Sequence, residues 1–361
     1  MQTLRKYRHD VCAWIAFVLI CAFLAFDASA ADRDAWKHPD PRFAAIDDAV
    51  DDDDYATAQK LLADLRAEAK RTGDQALLTE ALETGKEVVR LSREFGKIAK
   101  HLKTLKERPK NGKASLAMGK YYCVVKGNWN QGLDLLAAGE DATLATLAAD
   151  DNESPVQTDD QVAIADRWWQ YSQKVSDADE RIAYQLRARQ WMIRALPGAD
   201  AKARATIDQR LRQVPLFIDR LVVWNTHNGG SNDRGADELL VSLFYQDKLV
   251  WKDSVAIPWT ANKPAYILLR PKHVRADQVR VDVTKPHNRG AGLGEIEVLI
   301  GRRNIARDCE PTVDSYFEFN EAYKPSRLVD GDTSGNTGFW AAENGKEGWA
   351  SIHLAEFAPA K

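Results

Sequence analysis

The sequence predicts an α+β protein of two parts, a helical domain followed by an all-β sandwich. Through residues 42–213 the apolar side chains recur every three or four positions, which is the period of one helix face. From residue 216 the pattern changes to short apolar runs, such as 221–224 and 279–283, separated by turns rich in Gly, Asn, Asp and Pro. Short strands at that spacing favour a sandwich. We therefore place the domains at 42–213 and 216–357.

The N-terminus has the pattern of a secretory signal. Basic residues lie within 5–8, an apolar run spans 11–26, and Ala28-Ser29-Ala30 offers small residues for cleavage. That run is shorter than the ~20 residues that cross a bilayer as a helix. We expect cleavage near Ala30 and export to the periplasm or the extracellular space, with an uncleaved anchor as the alternative. Polar residues 31–41 are predicted to form a flexible leader, and no membrane span is expected in the mature chain.

Charge and cysteine content restrict the classes of partner. The formal net charge of −3 gives no indication of a polyanion-binding surface, so a nucleic-acid partner is not expected. Cys123 and Cys309 are the cysteines that remain once the predicted signal is removed, and two cysteines are too few for a disulfide framework. The apolar run around Cys123 predicts a buried helix residue, and a bridge between the two cysteines is left open.

The helical part contains one long charged helix and, after it, a segment with the features of a helical repeat. The pattern predicts a helix from about Asp74 to Lys106, ending near Pro109. The segment that follows combines a small residue at Gly119 with aromatic residues and a turn at Gly127-Asn-Trp129. It resembles a tetratricopeptide helix pair. Residues 55–211 also resemble a helical module of exported planctomycete proteins, which implies a scaffold with no assigned chemistry.

Two motifs near the C-terminus carry a second resemblance. Arg327-Leu-Val-Asp330-Gly-Asp332 leads through Trp340 to Gly348-Trp-Ala-Ser-Ile-His-Leu354, and Gly292-Leu-Gly-Glu-Ile-Glu-Val298 precedes them. They resemble the opening and the closing strand of a discoidin-like (factor V/VIII type C, galactose-binding-like) domain, but in exchanged order. The resemblance implies one jelly-roll sandwich with a circularly permuted chain, in which the strands near Leu221 and Trp349 are neighbours.

The same resemblance implies a structural calcium ion. Carried over by position, its ligands are Glu295, Asp330, Asp332 and Thr337, joined by the carbonyl of Arg327 or Leu328. Calcium binds six to eight hard oxygen atoms, and carboxylates with loop carbonyls supply them. The alternative is that Asp330 and Asp332 only hydrogen-bond a Gly-rich turn, and that Glu295 is an edge-strand residue.

A ligand site is expected at the loops that follow the first strand. Residues 225–235 are polar and Gly-rich, and in the resembled family such loops hold a sugar or a lipid. The candidate ligand-binding residues are His227, Asn232, Arg234, Trp259 and Trp340. A ring for stacking and donors for sugar hydroxyls suit that chemistry. The alternative is an ordinary turn with core tryptophans.

We therefore predict an exported, non-catalytic protein that binds a carbohydrate or a cell-surface component through its sandwich. A scaffold that binds an exported protein through the helical domain is one alternative. A hydrolase using Glu295 and Glu297 is another, but neighbours on one strand do not flank a substrate bond from two sides. No metalloprotease, phosphate-loop, dinucleotide or nucleophile-elbow motif is present in the sequence.

Overall fold

The structure is a computed structural model that describes residues 36–307, 309–318, 320–336, 338–343 and 347–355. The predicted signal (1–30) and the first part of the predicted leader lie outside the described residues. The described residues from Lys37 onward fall into one compact unit. Within the described part of the chain, no helix is both long and apolar enough to cross a membrane.

The described chain begins with helices and continues with antiparallel strands, as the sequence predicts. The α-helices are α1 (Ala44–Asp51), α2 (Tyr55–Thr72), α3 (Gln75–Glu107), α4 (Gly112–Lys120), α5 (Trp129–Ala137), α6 (Ala142–Asn152), α7 (Thr158–Ser172), α8 (Ala178–Ala195) and α9 (Ala201–Leu211). A π-helical turn (Tyr121–Val125) follows α4.

Short polar side chains set most of the helix starts. Asp54, Asp74, Asn111 and Asp141 each accept a hydrogen bond from the backbone N–H three residues later, which satisfies a donor that the first turn leaves free. The cap at Asp74 confirms the predicted start of the long helix, α3, which ends one residue after the expected Lys106.

The described end of the predicted leader is packed against the helices. His38 stacks on Phe43 with ring centroids 4.0 Å apart, and its Nε2 lies 3.1 Å from Glu80 Oε1. Asp40 caps a 3₁₀ turn at Pro41–Phe43. Residues 38–41 therefore have fixed tertiary partners, in contrast to the flexible leader that their composition suggested.

The turn from α4 into α5 depends on two glycines. A Cβ at Gly119 would lie 2.7 Å from the backbone nitrogen of Leu136, and one at Gly132 would lie 2.3 Å from Cys123 Sγ. Both contacts are closer than real Cβ atoms tolerate, so small residues are needed for this helix approach. Cys123 and Cys309 are both buried, and no disulfide joins the two.

Strands from the second half of the chain form two larger sheets that share one core. They are β1 (Phe217–Ile218), β2 (Arg220–Asn225), β3 (Ala236–Tyr245), β4 (Lys248–Ala256), β5 (Ala265–Leu269), β6 (Val274–Arg275), β7 (Gln278–Pro286), β8 (Gly292–Ile300), β9 (Arg303–Asn304), β10 (Thr312–Val313), β11 (Trp340–Ala341) and β12 (Gly348–His353). Sheet I has the order β11-β8-β2-β5 with β9 beside β8, and sheet II has the order β10-β12-β7-β3-β4. Val223 and Ile296 of sheet I and Val241 and Ile352 of sheet II belong to the same buried cluster.

The C-terminal strands complete these sheets. In sheet I, β11 pairs with β8, with Trp340 opposite Leu293. In sheet II, β12 pairs with β7, with Trp349 opposite Asp282. The tail therefore belongs to the body that begins after the helices. One expectation is wrong: the strands at Leu221 and Trp349 are not neighbours, because β2 lies in sheet I and β12 in sheet II.

Candidate functional site

One end of the two-sheet region, called here the rim, collects the polar loops. It consists of the β2–β3 loop (226–235), the β4–β5 loop (257–264), the β7–β8 loop (287–291) and the segment at 330–336. Antiparallel connections place these three loops at the same end because β2, β4 and β7 all end there and β3, β5 and β8 all begin there. The opposite end carries the short β3–β4 turn at Gln246 and Asp247.

A network of hydrogen bonds fixes the rim loops to one another. The buried Asn225 amide donates to the carbonyls of Ala236 (2.7 Å) and Pro258 (2.9 Å), and its oxygen accepts from the Ala236 N–H at 2.9 Å. Thr226 Oγ1 donates to the Gly335 carbonyl at 2.8 Å. The rim is therefore a preorganised surface, a condition that lowers the entropic cost of binding a ligand.

The asparagines of the rim have a backbone role as well. Asn228, Asn232, Asn262 and Asn288 all have positive φ, between 47° and 59°. Asparagine tolerates this left-handed region better than most residues because its short side chain bonds locally. Much of the asparagine content that suggested a ligand site is thus required by the turns.

Two of the predicted ligand residues lie at the rim surface. Trp259 is partly exposed, donates its indole N–H to the Arg234 carbonyl at 2.9 Å, and stacks on His287 with centroids 3.8 Å apart. Asn232 accepts from the Asn262 N–H at 3.0 Å and donates to its side-chain oxygen at 3.1 Å.

Sequence reasoning missed His287 and Asn262, which extend this surface. His287 follows β7, whose apolar run at 279–283 is visible in the sequence, and Asn262 lies in the loop after β4. Pairing the loops at one end of the sandwich would have pointed to them.

The other three predicted ligand residues are buried, which corrects the expected site. Trp340 is fully buried and donates its indole N–H to the Ser315 carbonyl at 2.9 Å, so its ring offers no platform to a ligand. Arg234 is 6% exposed and donates to the Ala342 carbonyl at 2.6 Å. His227 is 5% exposed, with Nδ1 3.2 Å from the Gly229 carbonyl. These side chains hold the rim together from below.

Glu295 is an unusual group near the rim. It lies in β8 opposite Trp224 and is fully buried. Its Oε2 accepts a hydrogen bond from the Gly331 N–H at 3.1 Å, while Oε1 has no hydrogen-bond partner among the described residues. Burial raises the pKa of Glu295 to about 9; the Gly331 bond and the charge of Arg307 oppose this rise, and the charges of Asp330 and Glu297 add to it. In the structure as it stands, this carboxyl is therefore neutral at pH 7.

The Asp-Gly loop lies against Glu295, but its carboxylates already have partners. Asp330 Oδ1 accepts from the Asp332 N–H at 2.9 Å, and Oδ2 accepts from Arg327 Nη1 at 3.0 Å. Asp332 Oδ1 accepts from the Ser334 N–H at 2.9 Å. Both aspartates therefore hydrogen-bond the Gly-rich turn, as the alternative to calcium binding expects. Thr337, the fourth predicted ligand, lies outside the described residues.

The fit of calcium to this site depends on Glu295. Among the described residues, no three His, Cys, Asp or Glu side chains are grouped so as to hold a metal ion. Calcium also accepts carbonyl and hydroxyl oxygens, so such a grouping is not required. The buried, unpartnered Oε1 of Glu295 is an oxygen that a cation would satisfy, with Asp330 beside it. Arg307 and Arg327 add positive charge nearby, which opposes a cation.

Glu295 and Glu297 lie side by side, two positions apart on β8. Glu297 accepts a hydrogen bond from the Trp224 indole at 3.0 Å, and Glu295 is closed to solvent. A glycosidic bond has to lie between two carboxyl groups during hydrolysis. Neighbours on one strand do not create that space.

Comparison with known proteins does not add a relative. No family model matches the chain, and no curated protein or solved structure matches it either.

Proposed function

We propose that this chain is an exported, non-catalytic binding protein whose β region recognises carbohydrate through the rim. The observation that carries the proposal is the fixed, partly exposed group of Trp259, His287, Asn232 and Asn262. Aromatic rings beside amide groups suit sugars, which present C–H faces and hydroxyl groups. As part of this proposal, the two sheets form a discoidin-like jelly-roll in permuted order, and the helical region is tetratricopeptide-like.

A glycan array probed with the chain from Ala31 onward tests this function. The key variant is Asn262→Gly, which removes the amide but keeps the left-handed backbone that glycine also adopts. We expect it to weaken glycan binding about tenfold, the effect of losing one or two hydrogen bonds. The matched control is Asp247→Gly, another left-handed turn position at the opposite end of the sheets. Binding to no glycan, or equal loss in both variants, contradicts the proposal.

The proposal includes a structural calcium ion held by Glu295 and Asp330 next to the Gly331 turn. A ligand that binds only the folded state raises the melting temperature. We expect calcium to raise the melting temperature of the wild type, and Glu295→Gln or Asp330→Asn to remove that rise. Asp253→Asn, an exposed change on β4, serves as the control. If the wild type has the same melting temperature in calcium and in chelator, the calcium proposal is wrong and the glycan proposal is unaffected.

A further inference from the structure

The helical region has strongly separated charges that its net charge conceals. Between residues 100 and 113 the chain has six exposed bases and one acid, and we call this segment the basic end. The bases are Lys100, Lys103, Lys106, Arg108, Lys110 and Lys113. Between residues 140 and 160 it has seven acids and neither Lys nor Arg; of these acids, Asp151 is buried against Arg187 and Asp150 pairs with Arg167, and the others are not in ion pairs within the described chain. A formal net charge of −3 gave no sign of either surface.

The basic end has no acidic partner of its own. Within the described residues, ion pairs stop at Lys97, which binds Glu94 at 2.6 Å, and none includes the six bases that follow. Lysine and arginine at this density repel one another, so a partner that supplies negative charge stabilises the surface.

The acidic segment ends at residues 153–160, which comprise the α6–α7 loop and the first turn of α7 and are called here the acidic loop. Its Glu153, Asp159 and Asp160 are exposed and form no ion pair within the described chain. Between them lies Val156, which is 81% exposed, more than any other large apolar side chain described. An apolar residue held out into solvent and flanked by carboxylates suits a recess surrounded by bases.

The basic end offers a shallow, solvent-open recess at the α3–α4 turn. It measures about 460 Å³ and is lined by Arg108, Pro109, Lys110 and Asn111. Its place in the chain is fixed because the N–H of Glu140 donates to the Gly112 carbonyl at 3.2 Å. From there α6 runs for 11 residues before the acidic loop begins. A helix of that length spans about 16 Å, so the two surfaces lie at opposite ends of α6.

We propose that copies of this chain associate head to tail, with the acidic loop of one copy docked on the basic end of the next. The carboxylates of Glu153, Asp159 and Asp160 then pair with the unpartnered lysines, and Val156 enters the recess at Arg108. Such a contact joins two different surfaces, so it forms rings or open filaments rather than a closed twofold dimer. This inference concerns the helical region and does not depend on carbohydrate binding.

Sedimentation velocity on the chain from Ala31 onward, which includes the compact unit that begins at Lys37, tests the proposal. We expect mass to increase with protein concentration at about 0.02 M salt and to return to monomer at about 0.5 M, where charges are screened within a few ångströms. Lys103→Glu with Lys106→Glu and Lys110→Glu should weaken association at least about tenfold. The control reverses three exposed lysines elsewhere, Lys60→Glu with Lys202→Glu and Lys252→Glu, and should leave association unchanged.

Crosswise complementation identifies the two surfaces as partners. The acidic-loop variant Glu153→Lys with Asp159→Lys and Asp160→Lys should be monomeric alone, like the basic-end variant. An equimolar mixture of the two variants should form mixed oligomers in which the variants alternate, because each then supplies the charge that the other lacks. Val156→Ser should weaken association of the wild type without changing its salt dependence. Melting temperatures of all variants show whether each remains folded.

Three outcomes overturn the proposal. The wild type is monomeric at low salt; the control variant loses association as the basic-end variant does; or folded variants fail to associate when mixed. If the wild type is monomeric but is retained on heparin through the basic end, the surface binds an anionic polymer instead of a second copy.

Discussion

Glu80 in α3 and Arg270, the residue that follows β5, form an ion pair between the helical region and the β region. Arg270 Nη2 lies 2.5 Å from Glu80 Oε1, and the two residues are 190 positions apart in the sequence. His38 Nε2 shares the same carboxylate at 3.1 Å. Two further contacts join the regions: Arg302 pairs with Asp51, and Arg189 donates to the Leu354 carbonyl at 2.9 Å. The helices and sheets therefore meet through buried or half-buried arginines.

Glu80→Gln should destabilise the protein and change its response to acid. Burial alone would raise the pKa of Glu80, but its bonds with His38 and Arg270 lower it to about 2. The pair therefore stabilises the fold above the ordinary value of 4.5 and loses this effect as pH falls toward 2. We expect Glu80→Gln to lower the free energy of unfolding by roughly 1–3 kcal/mol at neutral pH, measured by urea unfolding. The variant should also lose less stability than the wild type as the pH is lowered. Glu83→Gln, in the exposed pair with Lys86, should cost less than about 0.5 kcal/mol.

Lys126→Met should be among the most destabilising single changes in the helical region. Lys126 Nζ is buried and donates to the carbonyls of Val50 (2.8 Å) and Asp51 (3.0 Å) and to Asp53 Oδ1 (2.8 Å). Removing one member of a buried ion pair leaves the other charge uncompensated, at a cost of roughly 3–5 kcal/mol. Lys120→Met removes a half-exposed pair with Glu180 and should cost at most about 1 kcal/mol. If Lys126→Met and Lys120→Met lowered the free energy of unfolding in urea by the same amount, this account of the buried Lys126–Asp53 pair would be wrong.

Two glycine substitutions should have opposite effects. Gly132→Ala forces a Cβ to within 2.3 Å of Cys123 Sγ, and such overpacking costs roughly 1–3 kcal/mol. Gly96→Ala lies within α3 with no atom within 4 Å of the added carbon. Because alanine favours helix, this change should stabilise the protein by roughly 0.5–1 kcal/mol. The melting temperatures of the two variants test this comparison. A higher melting temperature for Gly132→Ala would show that α5 can move away from Cys123 without cost.

Glu295→Gln should alter the alkaline side of the stability curve in the absence of calcium. The native state holds a proton on Glu295 up to about pH 9, whereas the unfolded chain loses it near 4.5. The folded state thus binds more protons between these values, so the stability of the wild type falls as pH rises through this range. We expect Glu295→Gln to reduce this slope and to melt above the wild type at about pH 8 in chelator.

The control for this slope is Glu297→Gln, because Glu297 is the neighbouring carboxylate on the same strand. Glu297→Gln removes one charge that raises the pKa of Glu295 but keeps the Glu295 carboxyl, with Asp330 and Arg307 in place, so it should reduce the slope less than Glu295→Gln does. If Glu297→Gln abolished the pH dependence of stability and Glu295→Gln kept it, the proton would belong to Glu297, and our assignment to Glu295 would be wrong.

The elements of the fold were largely predictable, and the rim only in part. Asp74 and Asn111 show in the sequence as caps, and the change of period after Val214 shows where helices give way to strands. Trp340 could not be assigned in this way. An aromatic residue beside a polar loop has the same local pattern whether it is exposed or buried, and only the pairing of β11 with β8 places it in the core.

By itself, the sequence determined the local features of this protein: where helices begin, where the strands run, and which loops must turn through left-handed asparagine and glycine. These follow from hydrophobic period and backbone preference, which act over a few residues. Tertiary structure alone decided that β2 and β12 lie in different sheets, that Glu295 is fully buried beside Gly331, and that arginines connect helices to strands. Such features arise from contacts between distant segments, whose partners and burial no local pattern encodes.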